Sequence, residues 1–359
     1  MASSSRSDDA GKPAVVVGWI GLGSMGSAMA KNIQKHLTAA GRDQPPLRVY
    51  NRTASRCAAL EDLGASRCES IAELARDSDI VFISSSADEA VLSIVEQIVN
   101  SGNVEGKVVV DTTTVHPDTT QAVAATLASK GTHFAAMPVF GATPTAEAGK
   151  LLAGFAGSDA ALDAVSPLLK GVIAREVLVV GKEPEKASLL KTTGNVLMAS
   201  LMQIIAEAHV LAAKTGLPET TLERLLELNF GPVMHSDSVR MTTGVYCPEP
   251  GEKPWSDLQL AIKDVGHGVE IAEREGVSLR VGQRALGNLK KANEWRESPE
   301  GGVGRSLDSS SVFGVVRQES GLAFETEFVR ARDAAATADS ESNNSSANLG
   351  GETGRRINW

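Results

Sequence analysis

The sequence predicts an α/β domain with a parallel sheet, followed by an all-α domain built on one long helix. Three observations carry this. Short apolar runs alternate with helix-forming stretches as far as Phe140. A glycine triplet, Gly21, Gly23 and Gly26, follows the first apolar run and opens the first helical stretch. From Glu183 to Thr215 there is no proline after Pro184, and the one glycine, Gly194, sits well inside. At 1.5 Å per residue that stretch makes a helix roughly 50 Å long.

The elements follow in order. "AVVVGWIG" (14–21) reads as a buried strand, and "SAMAKNIQKHLTAA" as a helix ending near Gly41. "LRVYNRT" (47–53) is a second strand, and "ASRCAALEDLG" a helix stopped by Gly64. "DIVFISSS" (79–86) is a third strand, with the helix "DEAVLSIVEQIV" behind it. "KVVVDTTT" (107–114) is a fourth strand, and Pro117 starts the next helix. "THFAAMPVF" (132–140) is a further strand. After the long helix, helical patterns continue over 218–229, 255–276, 280–295 and 307–320. The expected domains are 14–182 and 183–330. Residues 1–13 and 331–359 read as disordered tails, because they hold too few large apolar residues to offset their ordering entropy.

Composition sets the outer limits. The chain has 359 residues, 42% hydrophobic and only 4% aromatic, so its cores must be mostly aliphatic. A net charge of −9 argues against sequence-independent nucleic-acid binding. Cys57, Cys68 and Cys247 show no CxxC and no metal-ligand spacing, so no metal is expected and the thiols read as reduced. The polar, acid-bearing N-terminus does not fit a secretory or transit segment. No stretch reads as the ~20 apolar residues that span a bilayer. A cytoplasmic protein without a membrane or nucleic-acid partner is expected.

The glycine triplet has GxGxxG spacing in the strand-to-helix context that dinucleotide binding requires. Gly21 allows a tight turn, Gly23 lets backbone approach a pyrophosphate, and Gly26 lets the helix lie close on the strand. The turn Gly21-Leu22-Gly23-Ser24-Met25-Gly26 is thus the candidate phosphate cradle, at a helix N-terminus whose N–H groups favour anions. The second strand ends in Asn51, Arg52 and Thr53. NAD-binding proteins of this kind carry Asp or Glu there, on the ribose hydroxyls. Here no carboxylate repels a 2′-phosphate, while Arg52 can fork onto one and Thr53 can donate a hydroxyl. Arg56 lies one turn further on. These residues predict NADP(H) in preference to NAD(H).

Five stretches together resemble the β-hydroxyacid dehydrogenases, a family that includes 3-hydroxyisobutyrate dehydrogenase and the glyoxylate/succinic semialdehyde reductases. They are "GLGSMGSAMAKNI", "DTTTVHP" (111–117), "MPVFGATPTAEAGKLLAGFAG" (137–157), "KTTGNVLMASLMQIIAEAHVLAAKTGL" (191–217) and "IKDVGHG" (262–268). The resemblance implies a Rossmann-like N-terminal domain, an all-α C-terminal domain on the long interdomain helix, and an active site in the cleft between them. It implies that Lys191 is the catalytic acid/base. Asn195, four positions on, falls on the same helix face. Chemistry supports the pairing, since hydride transfer to a carbonyl leaves charge on oxygen that a nearby proton donor must meet. Lysine can serve where burial or a neighbouring charge brings its pKa towards neutrality. The resemblance further places Thr113 on the substrate, and Ser85, Thr114 and Lys263 near the cofactor. It implies a homodimer or homotetramer and a small hydroxy-acid or carbonyl substrate.

Two departures stand out. Where the family reads P-V-S-G-G beside the substrate carboxylate, this chain reads Pro138-Val139-Phe140-Gly141-Ala142. The hydroxyl is lost at Phe140, and Ala142 adds a methyl group. Gly141 keeps its amide. This departure opens the site to a larger or more apolar carbonyl compound. "SSSADEAV" (84–91) lacks a proline found in the family, which alters the expected nicotinamide loop. Two other readings remain open: an imine reductase-like enzyme, and a non-catalytic NADP(H)-binding oligomeric scaffold. Lys191 weighs against both.

Overall fold

The computed structural model describes residues 14–41, 44–301 and 305–336. The chain forms two compact units that divide inside the long helix, between Gly194 and Asn195.

The first unit opens with β1 (Val17–Ile20), α1 (Ser24–Ala40), β2 (Arg48–Tyr50), α2 (Ala58–Glu61), β3 (Ser66–Arg67) and α3 (Ile71–Arg76). β4 (Ile80–Ile83), α4 (Asp88–Val99), β5 (Val108–Asp111), α5 (Pro117–Ala128), β6 (His133–Ala136) and β7 (Val139–Phe140) follow. Next come α6 (Thr143–Glu147), β8 (Leu151–Gly157), α7 (Asp159–Val165) and β9 (Ala174–Gly181). The sheet runs β3-β2-β1-β4-β5-β6-β8-β7, with β9 also paired to β8.

The first six strands in that order are parallel. Their side chains alternate between two cores: Phe82 and Val110 enter one, Val81, Ile83 and Val109 the other. That is a sheet buried on both faces. Trp19 and Phe82 are register partners, and their rings stack with centroids 5.1 Å apart. The Trp19 indole also donates to the Gly21 carbonyl at 2.9 Å, tying the first turn to the core. Lys107 donates to the carbonyls of Ala75, Arg76 and Ser78 at 2.9, 2.8 and 2.6 Å, a cation at the end of α3 where the helix dipole favours one. Burial pushes its ammonium below the usual lysine range.

Part of this sheet differs from the expected one. β6 and β7 both pair with β8 in antiparallel fashion, so the sheet is not wholly parallel. The strand expected over 132–140 is two strands, interrupted at Met137 and Pro138. Proline has no N–H to give the ladder, which accounts for the break.

The second unit is helical. α8 (Glu185–Thr215) leads into it, then α9 (Glu219–Leu225) and a π-helical turn over Leu226–Phe230. α10 (Pro232–Thr242), α11 (Leu258–Arg274), α12 (Arg280–Glu297), α13 (Val312–Glu319) and α14 (327–336) complete it. Val196, Ala199, Met202, Ile205, Ala206 and Val210 of α8 enter its core at helical spacing. Trp295 stacks on Phe324 with centroids 3.7 Å apart. Arg240 is buried against Asp237, Asp308 and Ser309, fixing α10 to the segment before α13. Burial also pushes the Asp237 carboxyl up to about 6 and the Cys247 thiol up to about 12.

Three expectations about extent change. The first turns of α8 belong to the sheet unit, because Ala187 sits in its core and the Ser188 hydroxyl meets that of Thr120 at 2.7 Å. A boundary at 182–183 marks a change of secondary structure, not of packing. The expected tail 1–13 lies outside the described residues. So does the expected tail 331–359, except for its first residues, which continue α14; Val329 of that helix is fully buried. Finally, α8 is long and apolar enough to cross a membrane, with an 18-residue window of mean hydropathy 1.7. Between Lys191 and Lys214 its only charge is Glu207. Half of that window is buried inside the protein.

Gly21 has φ +95°, and a Cβ there would lie 1.9 Å from the Ser84 carbonyl oxygen. Gly21→Ala is expected to cost at least ~2 kcal/mol of stability through strain and overlap. Urea unfolding reads this directly, and an unchanged midpoint would contradict the close approach.

Candidate functional site

The first unit gathers most of the candidate residues at the C-terminal ends of its parallel strands. Gly21 ends β1 and donates its N–H to the Tyr50 carbonyl at 2.9 Å. A Cβ on Gly26 would lie 2.3 Å from the Gly21 carbonyl oxygen, so the helix sits close on the turn only because Gly26 has no side chain. Gly23 behaves differently. A Cβ there would meet nothing within 4 Å, and its φ is −67°. Neither strain nor packing requires glycine at this position. Open space over a backbone turn is what an approaching pyrophosphate needs.

Gly23 is also the N-cap of α1, with no side chain capping the helix and no acid in its first turn. The N–H groups of Ser24, Met25 and Gly26 thus begin a 17-residue helix whose positive end faces the turn. Leu22 is buried, and its N–H donates to the Asn51 side-chain oxygen at 2.8 Å. The Asn51 amide donates in turn to the Thr53 carbonyl at 2.9 Å. Asn51 therefore braces the turn against the end of β2. Arg52, Thr53 and Arg56 follow it and are exposed. These residues fit an anionic dinucleotide, with phosphate at Gly23 and cationic side chains past β2.

Ser85 and Thr113 meet at the ends of β4 and β5. The Ser85 N–H donates to the Thr113 hydroxyl at 2.9 Å, and the Thr113 N–H donates to Asp111 at 2.9 Å. A hydroxyl that accepts this bond still carries its own hydrogen to donate. Thr114 is half-buried beside it. Phe140, at the end of β7, is half-buried and pairs with Leu152 of β8. Gly141 has φ +134°, and Ala142 is the N-cap of α6. Lys191 joins this group from the first turns of α8. Its ammonium lies 4.7 Å from the centroid of the Phe140 ring.

Asn195 and Lys263 belong to the second unit. Asp264 brings them together: it accepts from the Asn195 amide at 3.0 Å and pairs with the Lys263 ammonium at 2.8 Å. In sequence Asp264 reads as no more than a capping or pairing residue. Its signal is the position next to Lys263 on α11, but the bond to Asn195 spans α8 and α11 and leaves no local trace.

Comparison with known proteins bears on the family and the fold. Residues 16–210 match the model of the NAD binding domain of 6-phosphogluconate dehydrogenase. An NADH-dependent oxidoreductase of Aspergillus ustus is 30% identical over 305 residues, which cover 84% of this chain and 99% of that protein. Glyoxylate/succinic semialdehyde reductase 1 of Arabidopsis thaliana is 31% identical over 311 residues, covering 84% of this chain and 98% of its own. The structure of 3-hydroxyisobutyrate dehydrogenase from Mycobacterium tuberculosis superposes with a TM-score of 0.69 at 22% identity, covering 85% and 99% of the two chains. That structural likeness shows the shared fold.

The contrast between Gly21 and Gly23 separates folding from binding. Gly23→Ala should leave the unfolding midpoint of the cofactor-free protein within about 1 kcal/mol of the parent. It should weaken dinucleotide binding by about tenfold or more, since the methyl group enters the open space. Calorimetric titration checks the second effect. Equal affinity in parent and variant would remove Gly23 from the cradle.

Proposed function

The chain belongs to the β-hydroxyacid dehydrogenase family and is an NAD(P)-dependent oxidoreductase; we propose that it prefers NADP(H) and interconverts a small carbonyl compound and its alcohol, with Lys191 as general acid/base. The observation that carries this reading is the placement of Lys191. Its ammonium rests on Phe140, at the strand ends of the same unit that bears the glycine turn.

When bound, the nicotinamide supplies the hydride in reduction and accepts it in oxidation. The chain's own residues handle the proton and the orientation. As charge builds on the carbonyl oxygen, the Lys191 ammonium gives it a proton and becomes a neutral amine. In the reverse direction the amine takes the hydroxyl proton. Asn195, one helical turn on, holds the same oxygen by hydrogen bonding, with Asp264 fixing the amide. Thr113 offers its hydroxyl to the substrate, and Ser85 and Thr114 line the nicotinamide side.

The cofactor preference rests on Arg52 and Thr53, which are exposed just past β2, and on Asn51 standing where a ribose-binding acid would repel a 2′-phosphate. One relative is named for NADH, so the preference needs its own measurement. The substrate class is supported by the reductase names among the relatives. Leu197, Ile204 and Leu211 are exposed at seven-residue spacing on α8, which supports a homodimer or homotetramer that covers them. Three buried cysteines, none in a disulfide, support a cytoplasmic setting.

Lys191→Ala should lower kcat at least ~100-fold with NADPH and a reducible aldehyde, keto acid or cyclic imine. The panel should include glyoxylate and succinic semialdehyde, followed by NADPH absorbance. An unchanged rate would remove Lys191 from the mechanism. Dinucleotide binding without turnover across the panel would favour a scaffold.

Arg52→Asp should weaken NADPH binding by about tenfold more than NADH binding, because it places a carboxylate beside the extra phosphate. Equal losses for the two cofactors would mean that Arg52 does not read the 2′-phosphate.

A further inference from the structure

Phe140 is clamped on several sides. Its backbone lies in the antiparallel ladder with β8, opposite Leu152. On one side is Gly154 of β8, where a Cβ would come 3.8 Å from Phe140 Cε2. On the other is the backbone of α8 at Gly194. A Cβ there would lie 2.5, 3.3 and 3.5 Å from Cε1, Cζ and Cδ1 of the ring. The first distance is shorter than real contacts allow. The ring can lie against α8 only because residue 194 has no side chain. Phe140 and Gly194 are therefore a matched pair, 54 positions apart in sequence and touching in the fold.

Lys191 is three residues before Gly194, on the same face of α8. Its ammonium stands 4.7 Å from the ring centroid, within cation–π range. The negative face of the ring attracts the ammonium and limits where it can go. The ring also has no hydrogen-bond donor. A carboxylate set against the ring would lose water and gain no hydrogen bond from it. An uncharged, apolar group would lose nothing there.

We propose that Phe140, seated on Gly194, determines substrate class and positions Lys191, so that this enzyme selects carbonyl compounds with an uncharged, apolar flank over those with a carboxylate flank. The inference rests on the reductase reading above and names the substrate class of that site. Lys191 remains the proton donor, and Phe140 acts through it and through the shape of the wall.

The test uses the full chain with NADPH and two probes of similar size, butanal and succinic semialdehyde. The parent should show the higher kcat/KM with butanal. Phe140→Ser should shift the ratio of the two kcat/KM values at least about tenfold towards succinic semialdehyde, since it restores a donor and opens the wall. Gly194→Ala should displace the ring and lower kcat several-fold with little change in KM for butanal. Combined with Phe140→Leu, Gly194→Ala should cost much less, because the rigid ring it would strike is gone.

An unchanged substrate ratio in Phe140→Ser would overturn the selectivity. Strictly additive effects of Gly194→Ala and Phe140→Leu would overturn the pairing. Both results leave the role of Lys191 standing if Lys191→Ala is still inactive. Turnover of neither probe by the parent would overturn this inference together with the reductase reading.

Discussion

The attachment of the first turns of α8 to the sheet unit is the constraint on which the chemistry depends. Ala187 enters the sheet core, Ser188 bonds Thr120, and Gly194 receives the Phe140 ring. Lys191 lies between these anchors. A lysine has four rotatable carbons and a large rotamer entropy, so a free surface lysine would make a poor acid catalyst. Fixed at both ends of its helical turn and drawn onto an aromatic face, this one has a defined position. Lys191, proposed as the acid/base, therefore belongs by packing to the unit that carries the glycine turn.

That turn divides its labour among three glycines that look alike in sequence. Gly21 and Gly26 are required by the protein itself, the first by positive φ and contact with Ser84, the second by contact with Gly21. A side chain on Gly23 would meet no protein atom within 4 Å. A glycine that packing does not need is best explained by what comes to it from outside. Asn51 completes the device. Where an acid would bind a ribose, an amide instead braces Leu22 and Thr53. The second-strand end thus holds the turn in shape while Arg52 stays available on the surface.

Much of the fold was legible because its signals are local. The apolar runs of β1, β4 and β5 and the uninterrupted 31-residue α8 follow from period and composition. The glycine turn followed from spacing in context. What was not legible depends on distant partners. β8, "LLAGFAG", has two glycines and is buried without alternation, so no strand period shows; it forms because β6, β7 and β9 flank it. α10, "PVMHSDSVRMT", is polar, and its burial of Arg240 is sustained by Asp308 from far along the chain. The second half of α14, from residue 331, read as the start of a tail, although it continues a helix anchored by the buried Val329. In the candidate site, Phe140 was visible as a departure from the family pattern. Gly194 was visible only as a glycine inside a helix, and neither residue announced the other. The same holds for Asp264, whose bond to Asn195 joins two helices.

The central claim is that a dinucleotide held at Gly23 and a carbonyl oxygen held by Lys191 belong to one reaction. The most direct measurement is a crystal structure of the protein with NADP+ and a neutral ketone, a pairing that cannot turn over. The account predicts the pyrophosphate against the Gly23 backbone at the start of α1, and the ketone oxygen within hydrogen-bond reach of Lys191 Nζ. A pyrophosphate bound away from Gly23, or a ketone oxygen held by another group with Lys191 out of reach, would contradict it.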